Sequence, residues 1–252
     1  MSKLIGKSIM ITGGAQGIGE GIARRLASEG ASIGVADLNG QKAKALAESL
    51  KSEGANAIGV EMDVGERSQV QTAIKEVVDR FGRLDVLFNN AGFNKPLPFL
   101  DVDENNFNSI MRVNPWGVMV GIQEGAKQMI AQGGGGKIIN TASIAGRQGY
   151  AEFAPYCCSK ASVISLTQAG AREFAADLAG RLAPVPVRLV DERFTTTEAH
   201  DALRRGGKDS RARRQVVDAA AAAVLLQAAL DAERATGRPV GQLVRTGDGV
   251  GA

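Results

Sequence analysis

Histidine is all but missing from this 252-residue chain, and its single copy, His200, has no second imidazole with which to share a metal. A multi-histidine metal site is thereby excluded, and a Ser-His-Asp hydrolase is made improbable. Cysteine is almost as scarce. The only two, Cys157 and Cys158, are adjacent, a spacing that suits neither a disulfide nor a metal site and reads as small residues in a helix. No stretch approaches the roughly 18 apolar residues that a membrane-spanning helix needs. The opening Met1 to Lys7 lacks an apolar signal core and a cleavage site, so the expected location is cytoplasmic. Nor does one sign of charge dominate: 30 Lys and Arg against 27 Asp and Glu leave a formal net charge of +3, too mild to imply nucleic acid or a membrane surface. What remains is a chain with 44% hydrophobic residues, enough for one large core or two small ones in a soluble globular protein.

Isoleucine, asparagine and methionine are missing too, but only from one end. Residues 1–176 hold 15 Ile, 10 Asn and all 6 Met, whereas residues 177–252 contain none of the three. At the first part's frequency about six Ile would be expected in the remainder, so chance explains the gap poorly. Cations change in step, from 10 Lys and 8 Arg before the break to 1 Lys and 11 Arg after it. Two segments are therefore expected, 1–176 and an atypical 177–252, with a junction between about Ser165 and Ala183.

Within the first segment, short apolar runs alternate with amphipathic ones. Lys7 to Thr12, Ala31 to Ala36, Ala57 to Glu61, Leu84 to Asn89 and Lys137 to Thr141 read as strands. Ile18 to Ser28, Gln41 to Ser52, Arg67 to Phe81 and Glu104 to Ala131 read as helices between them. Strands that are apolar throughout, in strict β-α-β alternation, imply a parallel sheet with helices on both faces. The expected class is α/β, a doubly wound Rossmann-type fold. Pro115 is expected to kink the last of those helices by removing one backbone hydrogen bond.

The first strand and helix are joined by Thr12-Gly13-Gly14-Ala15-Gln16-Gly17-Ile18-Gly19. Bare backbone there lets a pyrophosphate approach the N–H groups and positive dipole end of the helix, which gives Gly13, Gly17 and Gly19 a reason to lack side chains. Asp37 closes the second strand about 20 residues on, where a carboxylate can accept from the adenosine ribose hydroxyls of a dinucleotide. It would repel a 2′-phosphate, and neither Gln16 nor Leu38 offers a cation in compensation. NAD is therefore expected over NADP. Asp63 and Val64 end the third strand where adenine would lie, and Asn90, Ala91 and Gly92 close the fourth strand beside the cofactor.

These residues, with Asn114, Ser143 and Tyr156-Cys157-Cys158-Ser159-Lys160, resemble the classical short-chain dehydrogenase/reductase family from about Lys7 to Ala175. The resemblance implies a catalytic tetrad of Asn114, Ser143, Tyr156 and Lys160. Tyr156 and Lys160 are four apart and share a helix face, so the ammonium can stabilise the phenolate and let Tyr156 exchange a proton with an alcohol or ketone oxygen. Ser143 would orient that oxygen. Lys160 would also hold the nicotinamide ribose, and Asn114 would position a water linking Lys160 to solvent. Gly117 to Gln123, Gly136 to Asn140 and Val163 to Ala171 are similar to members acting on small polyols and vicinal hydroxyketones. The helices from Glu104 and Ala161 resemble the pair through which the family forms homo-oligomers, dimers or tetramers.

Past Ala175 that pattern fades. Residues 181–230 are similar to the C-terminal half of the bacterial Holliday-junction-resolvase-like family, an RNase H fold, through Val190-Asp191-Glu192-Arg193, the basic loop Arg204 to Arg214 and Val216-Val217-Asp218. The implied picture is a chimera. Metal-dependent cleavage needs several clustered carboxylates and Asp218 stands alone, so no nuclease activity is expected, although the basic loop could bind nucleic acid weakly. Val185 to Val190 is expected as a sixth parallel strand of the same sheet, Arg211 to Ala235 as a covering helix and Val240 to Thr246 as a last short strand.

Overall fold

Strand β1, Ser8–Thr12, is buried at every position. Side chains alternate across a strand, so a run as apolar as Ile9-Met10-Ile11 has to be covered on both faces, and it is. In the computed structural model, which describes residues 4–181, 188–189, 237 and 242–243, β1 lies at the centre of a five-stranded parallel sheet. The other strands are β2 (Ser32–Asp37), β3 (Ala57–Glu61), β4 (Val86–Asn89) and β5 (Lys137–Asn140). Their order is β3-β2-β1-β4-β5, with Ile9 opposite both Ile33 and Val86. This is the expected Rossmann-type α/β fold.

Each face of the sheet carries its own core. Ile9, Ile11, Ile33 and Val35 pack with Ile22 and Leu26 of α1 (Gly17–Ser28) and with Leu46 and Leu50 of α2 (Gly40–Ser52). Met10 and Leu87 point the other way, onto Val70, Ile74 and Val77 of α3 (Arg67–Phe81) and onto Val120 and Met129 of α5 (Gly117–Gln132). Burying each such side chain contributes about 1.5–3 kcal/mol before the entropy of ordering it is subtracted. Gly34 lets α3 come close to the sheet, since a Cβ there would run into Cγ2 of Val77 at 2.5 Å.

Two helix starts are closed by side-chain caps. The Asn39 side chain accepts from the Lys42 N–H at the head of α2, and Asp103 accepts from Asn106 N–H at the head of α4 (Glu104–Met111). The helix expected over Glu104 to Ala131 runs without a break to Gln132, as α4 and α5 on either side of Pro115. Between α4 and α5 the backbone widens into one π turn, Arg112–Trp116, around Pro115, which has no N–H to give. Pairing recovers at once: the Gly117 N–H reaches the Asn114 carbonyl. The disturbance expected of Pro115 is thus confined to its own turn. Helix α6 (Ala154–Arg181) is long, and both cysteines sit on it as free thiols.

The sixth parallel strand is not what the described residues form. β6 (Arg188–Leu189) pairs antiparallel with β7 (Gln242–Leu243) in a separate two-stranded sheet. Pro186, just upstream in the sequence, has no N–H for a parallel ladder. The rest of 182–236, including Asp218, the basic loop and the covering helix expected over Arg211 to Ala235, lies outside the described residues. Among those described, no helix is long and apolar enough to cross a membrane.

Because β2 and β4 flank β1, the chain winds one way from β1 to β3 and the other way from β1 to β5. The crevice at the carboxyl ends of β1 and β4, where the winding reverses, is where such sheets bind ligands.

Candidate active site

A cavity of about 590 Å³ opens over those strand ends. Gly13, Gln16, Gly17 and Ile18 form its floor at the start of α1. Gly13 has φ +59°, and a Cβ on it would meet the Ala91 Cα at 2.8 Å. Gly17 needs its glycine for backbone freedom alone, with φ +57° and open space around it. A side chain on Gly19 would collide with the Gly13 carbonyl, so Gly19 packs the helix onto the turn without lining the cavity. The turn is tied to β4 by Thr12, whose Oγ1 accepts from the N–H groups of Asn90 and Ala91 at 3.1 and 3.0 Å. Asn90 returns the contact, donating from Nδ2 to the carbonyls of Thr12 and Gly13.

Asp37, at the end of β2, lines the same cavity. Its Oδ2 accepts from Ala15 N–H at 3.0 Å and its Oδ1 from Asn39 N–H at 2.9 Å. A carboxylate has about four acceptor sites, so these two bonds fix its direction and leave capacity for ribose hydroxyls. Asp63 and Val64 line the next stretch. Asp63 is held by Gly65 N–H at 2.8 Å and by Arg112 from the π turn at 2.9 Å. Arg112 also donates to Glu66, and the hydrogen bonds to Glu66 and Asp63 raise its already high pKa, which makes it a permanent cation. Sequence reading missed Arg112, which lies 49 residues from the carboxylate it orients.

Tyr156 and Lys160 close the other end of the same cavity, one turn apart on α6. The Lys160 ammonium is 5.7 Å from the centre of the Tyr156 ring and donates to the Thr141 carbonyl at 2.9 Å. Phe153 packs edge-on against the Tyr156 ring. Ser143 caps the short 3-10 turn Ile144–Gly146, its Oγ accepting from Ala145 N–H at 3.1 Å. It is not among the cavity-lining residues, but its turn packs on α6 through Gly146.

Asn114 is fully buried behind Gly92, where a Cβ on the glycine would meet both Asn114 Oδ1 and Lys160 Nζ. Its amide accepts from Phe93 N–H at 2.9 Å and donates to the Phe93 carbonyl and to Ser159 Oγ. The loop after β4 is thereby fastened to α6 through Asn114. Lys42 is the second residue that sequence reading missed. Its Nζ donates to Gln16 Oε1 at 3.1 Å, which brings a cation to the Asp37 end of the cavity from five residues past that carboxylate.

A model of the short chain dehydrogenase family matches residues 7–203. The chain belongs to that family. The match crosses the composition break at 176 and runs on to residue 203, past the limit near Ala175 that the motifs suggest. Among curated short chain dehydrogenases, sorbitol dehydrogenase of Cereibacter sphaeroides is 39% identical over 166 residues, which is 66% of this chain and 64% of that protein. L-2,3-butanediol dehydrogenase of Corynebacterium glutamicum is 42% identical over 172 residues, 67% of this chain and 66% of its own. The chain thus spans slightly less than two thirds of the length of these relatives. Among solved structures, NAD+-bound xylitol dehydrogenase superposes with TM-score 0.66 at 32% identity, covering 78% of this chain and 77% of that one. A short chain dehydrogenase from Burkholderia cenocepacia in complex with NADP gives TM-score 0.65 at 32% identity, covering 74% of each chain.

The family binds nicotinamide cofactors, and the residues present fit one. The cradle at Gly13 is one that a Cβ would fill, and a single cavity joins it to Asp37 at one end and to Tyr156 and Lys160 at the other.

Proposed function

We propose that this chain is an oxidoreductase that transfers a hydride between NAD and a secondary alcohol or ketone, with small polyols and vicinal hydroxyketones as its substrate class. The observation that carries the reading is the shared cavity: Tyr156 and Lys160 open onto the same space as Gly13, Gly17 and Asp37. When bound, the nicotinamide ring supplies the hydride acceptor or donor.

The protein's own part is proton handling and orientation. In the oxidising direction Tyr156, as phenolate, takes the hydroxyl proton while the neighbouring C–H bond breaks and the carbon becomes a carbonyl. The Lys160 ammonium stabilises that phenolate, because an opposite charge nearby favours the ionised form. Its bond to the Thr141 carbonyl keeps the ammonium at this depth. Ser143 Oγ accepts from a backbone N–H, which leaves its own hydrogen free to donate to the substrate oxygen. A positioned acid or base of this kind contributes about 10²–10⁴ in rate.

NAD is preferred over NADP in this reading because Asp37 is fixed by two backbone N–H groups where a 2′-phosphate would come. The substrate class is supported by relatives whose names specify sorbitol and 2,3-butanediol and by a structural neighbour named for xylitol. A dimer or tetramer through the helices from Glu104 and Ala161 belongs to the same reading, and sedimentation velocity measures it. The decisive experiment is NADH absorbance at 340 nm with NAD and a panel of sorbitol, xylitol, 2,3-butanediol and acetoin. Turnover of at least one is expected. Tight NAD binding with no turnover of any would instead select a cofactor-binding protein impaired in catalysis.

A further inference from the structure

Beyond Asp37 the cofactor cavity continues into a second hollow of about 520 Å³, and the two share Gln16, Asp37 and Leu38. Lys42 and Glu61 also line the second hollow. Lys42 projects from the first turn of α2, where its backbone is pinned by the Asn39 cap at 2.9 Å. Its ammonium is tethered to Gln16 Oε1. Gln16 itself lines the cofactor cavity, so the tether sets a positive charge on the border between the two hollows, beside the carboxylate that faces the adenosine ribose.

We propose that Lys42 is a specificity-determining residue for the adenosine end of the cofactor: its ammonium is the cation that a phosphate on the ribose 2′-oxygen would meet, and it offsets part of the repulsion from Asp37. The proposal rests on the dinucleotide reading of the cavity given above. It changes what Asp37 implies. With Asp37 and Glu61 alone at this border, a phosphate dianion would face two like charges. With Lys42 present it also finds a mobile, strongly hydrated donor of three hydrogen bonds on a flexible stem. The chain therefore discriminates against 2′-phosphorylated cofactors less sharply than its Asp37 suggests. Lys42 is exposed, so its substitution leaves the core untouched.

The test is calorimetric titration of the purified protein, at low salt, with AMP and with adenosine 2′,5′-bisphosphate, in the wild type and in Lys42→Gln and Lys42→Arg. The quantity read is the ratio of the two dissociation constants. In Lys42→Gln the bisphosphate is expected to lose about fivefold or more relative to AMP, in keeping with the loss of a charge-assisted contact. Lys42→Arg keeps the wild-type ratio within about twofold. Raising the salt is expected to move the wild-type ratio toward that of Lys42→Gln. A ratio unchanged in Lys42→Gln, with AMP and NAD still bound, overturns the role of Lys42 and leaves the dinucleotide site standing. Failure of the wild type to bind any of AMP, bisphosphate and NAD overturns both.

Discussion

Gly146 lies against the peptide that leaves Lys160: a Cβ on it would come within 2.6 Å of the Lys160 carbonyl carbon and 2.9 Å of the Ala161 nitrogen. The turn begun by Ser143 is thus seated on the backbone of α6 beside the lysine of the proposed proton site. Backbone has little room to yield, so the smallest side chain forces the turn and the helix apart.

Gly146→Ala is accordingly expected to fold, to lose about 1–3 kcal/mol of stability from overpacking, and to lose turnover disproportionately. Urea titration measures the first effect and steady-state kinetics the second. The expected pattern is a fall in kcat of about tenfold or more with NAD affinity within a few fold of the wild type. A variant as active as the wild type would show that the seating of the Ser143 turn is immaterial to the chemistry.

Tyr156→Phe removes the phenolic hydroxyl and leaves Phe153 a ring to pack against. Turnover is expected to fall by about 10²–10⁴ while NAD binding, followed by fluorescence quenching, survives. Lys160→Ala is expected to damage both, because it also deletes the bond to the Thr141 carbonyl.

Asn114→Ala deletes a fully buried amide and its bonds to the N–H and carbonyl of Phe93 and to the Ser159 hydroxyl, of which the last keeps its bond to the Tyr156 carbonyl. An unsatisfied buried group costs about 1–3 kcal/mol, and solvent can reach the Phe93 backbone, so a loss of about 1–3 kcal/mol is expected in chemical denaturation. If Asn114 only held a solvent-linked water, stability would barely change.

The parts of this fold that could be read in advance are those written as local pattern. Ile9-Met10-Ile11 announces a strand covered on both faces, and Pro115 announces a fault in a helix. The four-residue spacing of Tyr156 and Lys160 puts both on one helix face whatever surrounds them. Contacts made by long side chains across the fold are different in kind. Lys42 reaches Gln16 over 26 positions and Arg112 reaches Asp63 over 49, and neither distance leaves a trace in spacing. The Thr141 acceptor is a backbone carbonyl, which any residue type would supply equally. The antiparallel pairing of Arg188–Leu189 with Gln242–Leu243 joins two-residue strands, too short to carry a periodicity.

Glu124 offers a prediction that depends on pH. It is buried on α5 and accepts hydrogen bonds from Gln71 at 3.0 Å, from Lys127 at 2.9 Å and from Arg67, joining α5 to α3. Burial pushes its carboxyl up, but the bonds from Gln71, Lys127 and Arg67 outweigh burial and hold its pKa below the ordinary glutamate value. A carboxyl whose folded pKa is depressed stabilises the fold fully above its unfolded pKa of about 4.3, and that contribution is lost as pH falls through the lower folded value. Glu124→Gln keeps an acceptor and removes the charge. Because Lys127 and Arg67 are partly solvent-screened, the expected loss at pH 7 is about 1–2 kcal/mol. Urea midpoints of the two proteins should therefore differ at pH 7 and converge below about pH 4. A gap that stays constant down to pH 3 would mean that the charge on Glu124 does not hold α3 to α5, and that packing alone does.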